Sequence, residues 1–238
     1  VPVWLRRRFR VGKVERESHD TYTLTFEPVD GRPVRRNPGQ FMFLGLVRPG
    51  RPSETHPFTI SAAPSATGIL QATIKRSGDF TDTIDQTRMG DEARIEAPYG
   101  RFSLVHHDWE NLVFIAGGVG ITPIMSMLRH LEEAGDKRRV LLLYGNGEEK
   151  DILFREELDR QGEQVRVVHV LAEAGEGWPG RRGFIDRRAL EEEAASLLES
   201  GGTHIFLCGP PAMMDKVIDH LRSLGVPDSR VHYERFTL

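Results

Sequence analysis

The hydrophobic rhythm of this chain changes once, and that change most limits how it can fold. Up to about residue 105 the apolar residues come in short alternating runs: TYTLTFEPV at 21–29, NPGQFMFLGLV at 37–47, HPFTIS at 56–61, LQATIKRS at 70–77 and ARIEAPYGRFSL at 93–104. Turn dipeptides separate them: Pro38-Gly39, Gly78-Asp79 and Gly90-Asp91. Short strands with regular punctuation predict an antiparallel β-barrel, with one helical insertion at TDTIDQTRM, 81–89. From about residue 110 the period switches. The strand-like runs NLVFIA, RRVLLLYG, VRVVHVLA and THIFLCG are interleaved with the helical runs PIMSMLRHLEEAG, DILFREELDRQ, ALEEEAASLLESG and AMMDKVIDHLRSLG. Strands alternating with helices predict a doubly wound parallel sheet. The expectation is two domains, 1–106 and 107–238, meeting near HHDWEN at 106–111.

Composition narrows the function classes. With 238 residues, 39% hydrophobic and 28% charged, the chain can build packed cores. A net charge of −3 gives no electrostatic case for nucleic acid. One cysteine, Cys208, excludes a disulfide framework, an iron–sulfur cluster and a cysteine-based zinc site within this sequence. The nine histidines are scattered with no ligand-type spacing, so no metal site is expected, and His106-His107 reads as a polar connector. The longest uncharged run, Asn111–Leu128, approaches a membrane span in length. Its three internal glycines and its proline read instead as strand, turn and helix. The start, VPVWLRRRFRV, places Arg6, Arg7, Arg8 and Arg10 after an apolar opening. It is either a solvated first strand or a basic segment following a membrane helix.

The strongest local feature is FIAGGVGITPIMSML at 114–128. Gly117, Gly118 and Gly120 permit a tight turn and close approach to a ligand. Thr122 is expected to cap the following helix and Pro123 to sit in its first turn. A helix start of this kind offers N–H groups and partial positive charge to a phosphate. The spacing is neither GxGxxG nor a P-loop, so the turn alone leaves open a plain strand-to-helix connection. A second feature, Cys208-Gly209-Pro210-Pro211, ends the last apolar strand. Ligands in such sheets sit beyond the carboxyl ends of the strands, where Gly117 and Cys208 both fall.

Taken in order, HPFTIS, SGDFT, GGVGITP, YGN, CGPP and the terminal ERF resemble the ferredoxin–NADP reductase superfamily over nearly the whole chain. HPFTIS followed by IKRSGDFT is most similar to its ferric reductase and NADPH oxidase branch. The resemblance implies an FAD-binding barrel followed by a nucleotide-binding domain for NADPH or NADH. It implies hydride transfer to the flavin and onward release of single electrons.

The resemblance also implies site residues. His56, Pro57, Phe58 and Thr59 are expected along the flavin, with Phe58 on the ring, Thr59 near its reactive nitrogen and His56 toward its tail. Ile74, Lys75, Gly78, Phe80 and Thr81 match the segment that cradles the FAD pyrophosphate. Gly118, Gly120, Ile121, Thr122 and Pro123 match the nicotinamide-dinucleotide loop, and Tyr144, Gly145 and Asn146 the ribose end. Cys208, Gly209, Pro210 and Met213 match the nicotinamide-side loop. Phe236 is expected on the second flavin face. Thr59, Cys208, Glu234 and Phe236 form the expected catalytic set.

Gly147-Glu148-Glu149 follows YGN where relatives often carry arginine, which suits a free ribose hydroxyl and hence NADH, while Lys150, Arg181 and Arg182 could still supply positive charge for a 2′-phosphate and NADPH. The expected partner is a heme-bearing transmembrane domain upstream in the same natural chain, on the cytoplasmic side of the inner (plasma) membrane. The alternatives are a soluble reductase of a ferredoxin, a flavodoxin or free flavin, or a non-catalytic nucleotide-sensing module.

Overall fold

The computed structural model describes residues 7–48, 54–65 and 67–236. Two compact units result: residues 1–105 with 125–134, and residues 106–124 with 135–238.

The first unit is a curled antiparallel sheet of six strands in the order β4-β3-β6-β1-β2-β5. They are β1 (Arg7–Arg16), β2 (Thr21–Pro28), β3 (Phe41–Leu46), β4 (His56–Thr59), β5 (Leu70–Lys75) and β6 (Glu92–Tyr99). Alternation along them puts Phe9, Val11, Leu24, Phe26, Met42, Leu44, Leu70, Ile74 and Ile95 into one core. Although β4 and β5 are the sheet's ends, the Ser61 N–H just past β4 donates to Gln71 O of β5 at 2.9 Å, curling the sheet toward closure. The expected helical insertion is a six-residue 3-10 turn, Thr81–Gln86, anchored by buried Ile84.

The arginine-rich start is structural from Arg7 on. Strand β1 runs between β2 and β6, pairing with both. Arg7 pairs with Asp30 at 2.5 Å and Arg8 with Glu92 at 2.8 Å. Arg6 lies outside the described residues.

The second unit is a parallel sheet in the order β10-β9-β8-β7-β11-β12. Its strands are β7 (Asn111–Gly117), β8 (Val140–Asn146), β9 (Val165–Leu171), β10 (Arg181–Arg182), β11 (Thr203–Cys208) and β12 (Val231–Glu234). From β7 the chain winds outward through β8, β9 and β10, then returns to lay β11 on the opposite side of β7. The order therefore reverses between β7 and β11, which is where such sheets open a ligand crevice. Val113, Ile115, Leu141, Leu143, Ile205 and Leu207 pack with Leu190, Ala194, Met214 and Leu221 of helices α3 (Arg187–Leu198) and α4 (Pro211–Ser223). Asp186 caps α3 by accepting the Ala189 N–H at 2.8 Å.

Helix α1 (Ile121–Glu133) follows the glycine turn. The helix expected over 151–161 is shorter: α2 covers only Arg155–Asp159, because Phe154 adopts a left-handed φ of 55° and Ile152, Leu153 and Phe154 are buried as a turn. Among the described residues no helix is long and apolar enough to cross a membrane.

Candidate functional site

The residues expected at the site fall into two sets, one on each unit. On the first, β4 is an edge strand whose residues His56, Pro57, Phe58 and Thr59 pair with Leu44, Phe43, Met42 and Phe41. An edge tolerates Pro57, which has no N–H to give a further neighbour. Phe58 is half-buried, with its ring stacked toward Phe80 at 6.0 Å. The His56 ring lies 4.3 Å from the same Phe80 ring, and its Nε2 is 3.3 Å from Glu54 Oε2. Thr59 is 6% exposed, and its buried Oγ1 has no hydrogen-bond partner among the described residues. A buried hydroxyl without a partner costs on the order of 1–3 kcal/mol, which a ligand atom there would recover. An orphaned hydroxyl beside a half-open aromatic fits a flavin.

Several expected contacts change on inspection. Ile74 is 1% exposed inside the barrel core, so only its backbone can meet a cofactor. Lys75 is an exposed end-of-strand residue paired with Asp20 at 3.2 Å, so a phosphate would compete with that carboxylate. Thr81 does not occupy the cap position, which is Phe80. Its hydroxyl accepts the Ser77 N–H at 2.8 Å and donates to Gly78 O at 3.1 Å, tightening the SGDFT turn. Sequence reading missed the polar brace behind β4. Arg36 donates to Ala62 O at 3.0 Å, Ser126 to Ala62 O at 2.8 Å and Arg129 to Ser61 O at 2.9 Å, while Arg129 also reaches Gln71 Oε1 at 3.2 Å. Burial lowers the Arg36 pKa to about 10, partly offset by Glu133.

On the second unit the glycine turn is a short 3-10 segment, Gly118–Gly120, leading into α1. Gly118 has φ of +51° with nothing within 4 Å of where a β-carbon would stand, leaving an open cradle. A β-carbon on Gly117 would instead meet Met213 Sδ at 2.6 Å. Thr122 does not cap α1. It is the buried second residue of the helix, and its hydroxyl donates back to Val119 O at 3.0 Å. Ile121 is fully buried, so it can offer only its backbone; Pro123 lies in the first turn as expected.

Tyr144 is also fully buried. Its hydroxyl donates to Gly118 O at 3.1 Å and accepts the Leu153 N–H at 3.3 Å, so its side chain braces the glycine turn rather than facing a ribose. Gly145 sits beside Gly117 across β7 and β8. Asn146, at the end of β8, is 9% exposed with both side-chain polar atoms unpartnered among the described residues. It is therefore a stronger ligand candidate than Tyr144.

At the ends of β11 and β12, Cys208 and Glu234 are register partners. Burial, with the Glu234 charge beside it, raises the Cys208 thiol above its ordinary range, so it is a neutral thiol and not a nucleophile. Burial pushes Glu234 up to about 7, and its Oε2 has no partner among the described residues. Gly209 packs so tightly that a β-carbon there would lie 3.0 Å from Gly117 N. Pro210 sits at the cap position of α4, with its carbonyl accepting the Met213 N–H at 3.0 Å. Phe236 follows β12 and is half-buried.

A curled antiparallel sheet with an orphaned hydroxyl and aromatic edge, together with a parallel sheet carrying a glycine cradle at its switch point, defines a flavin- and dinucleotide-binding class. Comparison with known proteins agrees. Residues 7–141 match an FAD-binding domain family, and residues 114–219 match an oxidoreductase NAD-binding domain family. The chain is 31% identical to ferredoxin–NADP reductase B of Sorangium cellulosum, covering 90% of each. It is 32% identical to the glycine betaine monooxygenase reductase subunit of Pseudomonas aeruginosa, over 97% of this chain and 64% of that one. Thus it spans just under two thirds of the length of that relative. Among solved structures, the flavohem-like FAD/NAD-binding domain of nitric oxide dioxygenase from Vibrio cholerae superposes with a TM-score of 0.84 at 25% identity, covering 97% of this chain and 98% of that one. The chain belongs to the ferredoxin–NADP reductase superfamily of FAD- and pyridine-nucleotide-binding oxidoreductases.

Proposed function

We propose that this chain is the FAD-dependent NAD(P)H reductase module of an electron-transfer system and delivers electrons to a separate acceptor protein. The observation that carries the reading is that each unit holds an orphaned buried group beside a motif of the superfamily, Thr59 Oγ1 on the first and Glu234 Oε2 on the second. The relatives support a separate acceptor: the reductase subunit of glycine betaine monooxygenase and the reductase component of propane 2-monooxygenase from Rhodococcus jostii are named as parts of oxygenase systems. With one cysteine in these 238 residues, any plant-type iron–sulfur relay must come from elsewhere.

The first domain, 1–106, would hold FAD through Phe58, Thr59, His56 and the SGDFT turn. The second, 107–238, would hold the dinucleotide through the Gly118–Gly120 turn and Asn146. Bound FAD would supply the conversion of a two-electron hydride into single electrons. Thr59 would orient the flavin by hydrogen bonding, and Glu234 would hold or release a proton near neutrality. Buried Cys208 would shape the apolar floor under the nicotinamide, and Phe236 would offer an aromatic face to a planar ring.

NADH is the favoured donor. Around the expected ribose end two cations are engaged by carboxylates, Lys150 with Glu148 at 2.6 Å and Arg155 with Glu149 at 3.3 Å and Asp159 at 2.7 Å, while Arg182 donates to the carbonyls of Ala174 and Gly175. A 2′-phosphate would have to displace a carboxylate from Lys150 or Arg155.

A second reading, the cytoplasmic dehydrogenase portion of a membrane heme protein, rests on the His56-Pro57-Phe58-Thr59 motif. The arginines that also suggested it are partly accounted for by the ion pairs of Arg7 and Arg8. The deciding experiment is anaerobic reduction of the purified, FAD-loaded chain by NADH, followed by a screen of a [2Fe–2S] ferredoxin, cytochrome c and ferric chelates. Rapid bleaching and turnover with a protein acceptor support the reductase. A chain that binds no FAD at micromolar concentration would sink it.

A further inference from the structure

Outside the flavin and nucleotide residues, the second unit gathers three imidazoles that the sequence keeps far apart. His204 is the second residue of β11, His232 the second of β12, and His107 lies just ahead of β7. Parallel pairing sets His232 beside Phe206, two residues on from His204 along β11. His204 Nδ1 and His232 Nε2 are 2.8 Å apart. The His107 ring stacks on His232 at 3.7 Å and lies 5.5 Å from His204. One ring nitrogen from each lies within 4.8 Å of the others, and all three residues are half-buried. The Phe206 ring, 4.8 Å from His232 and 5.8 Å from His107, forms the apolar wall behind them.

We propose that His107, His204 and His232 form a binding site for one divalent transition-metal ion of the zinc or copper type. Three imidazoles with neither thiolate nor oxygen ligands among them select borderline metals and disfavour magnesium and calcium. A tetrahedral centre with metal–nitrogen bonds of about 2.0–2.1 Å places its nitrogens about 3.3 Å apart. The His204–His232 contact would open by about half an ångström, and a side-chain rotation of His107 would close the rest. The half-exposed rim leaves the fourth position to water.

The protonation state suits a metal. Burial, reinforced by neighbouring imidazoles, lowers His107 and takes His232 down to about 4. Burial and Arg230 lower His204, against a favourable charge from Asp108. At neutral pH all three are therefore uncharged, the ligating form. A bound ion would exchange the His–His hydrogen bond for coordination and tie the segment before β7 to the strand that carries Glu234.

The test uses the full chain without a histidine tag, stripped with chelator and titrated calorimetrically with Zn2+ and, separately, Mg2+. The expected result is one Zn2+ per chain with micromolar or tighter affinity, no saturable Mg2+ binding, and at least about tenfold weaker Zn2+ binding in His204→Gln and in His232→Gln. His106→Gln and His220→Gln serve as controls and are expected to bind like the parent. No saturable Zn2+ binding below about 1 mM, or affinity unchanged in both ligand variants, overturns the site. If those variants fail to fold, diethyl pyrocarbonate labelling of the parent chain decides. Zn2+ that protects His107, His204 and His232 but not His220 supports the site, and equal labelling with and without Zn2+ overturns it.

Discussion

A β-carbon placed on Gly120 would lie 2.4 Å from the carbonyl oxygen of Cys208. The glycine turn after β7 and the end of β11 are thus in backbone-to-backbone contact across the point where the strand order reverses. Gly120→Ala must push β11 and the turn apart, at a cost of about 3 kcal/mol. Gly118→Ala has free space but a φ of +51°, and costs about 1–2 kcal/mol in backbone strain. Urea unfolding of both variants checks the order. Dinucleotide titration is expected to show Gly118→Ala weakened more than its stability loss explains, because the methyl fills the cradle.

Thr59→Val keeps the shape and removes an unpartnered buried oxygen. Without flavin the variant is expected to be more stable than the parent by about 1 kcal/mol. With flavin, reduction by NADH is expected to slow about tenfold or more. Thermal melts of the apo form and anaerobic stopped-flow of the loaded form read the two effects separately. Equal reduction rates would remove Thr59 from the proposed site.

Glu234 gives a pH signature. Its folded pKa, pushed up to about 7 by burial, lies above the ordinary carboxylate value of 4.5. Between these values the folded chain keeps a proton that the unfolded chain releases, so stability falls as pH rises through that window. The fall is about 3 kcal/mol at most, and Glu234→Gln abolishes it. Denaturant unfolding between pH 4 and pH 8 in the presence of chelator measures it. A parent chain that is no less stable at pH 8 than at pH 5, relative to the variant, contradicts the burial argument.

Nucleotide choice follows from engaged charges. Glu149 pairs with Arg155 at 3.3 Å. Glu149→Arg is expected to raise kcat/KM for NADPH about tenfold while changing that for NADH little. Steady-state rates with both donors decide. A parent enzyme that already prefers NADPH a hundredfold would reject the acidic-discrimination idea.

The brace behind β4 is testable too. Arg129→Leu removes donors to Ser61 O and Gln71 Oε1. Loosening the segment after HPFTIS is expected to weaken FAD binding about tenfold and lower Tm by several degrees. Fluorescence titration of free FAD measures the first effect.

The two-domain plan was legible because periodicity reports burial directly: alternation for the barrel, strand–helix alternation for the parallel sheet. The site was legible as positions more than as contacts. Motif matching named Ile74, Ile121 and Tyr144 but could not tell that their side chains face inward. Thr122 and Thr81 carry hydroxyls suited to capping, yet each bonds within its own turn because each already lies inside its element, α1 starting at Ile121 and the 3-10 segment at Thr81. The Arg36, Ser126 and Arg129 brace depends on contacts between distant stretches and left no local pattern. The same holds for the three histidines, which adjacency on β11 and β12 and stacking at the β7 entrance bring together.

The first unit is discontinuous in sequence, since residues 125–134 belong with residues 1–105. Its central strand β1 pairs with β6, which is made some eighty residues later, and the loop after β4 hangs on Ser126 and Arg129. Such long-range pairing folds slowly. On the ribosome the barrel stays unfinished until much of the first βα turn of the next domain has emerged. A fragment cut at the point where the hydrophobic rhythm changes would lack the hydrogen bonds that Ser126 and Arg129 give to the loop after β4.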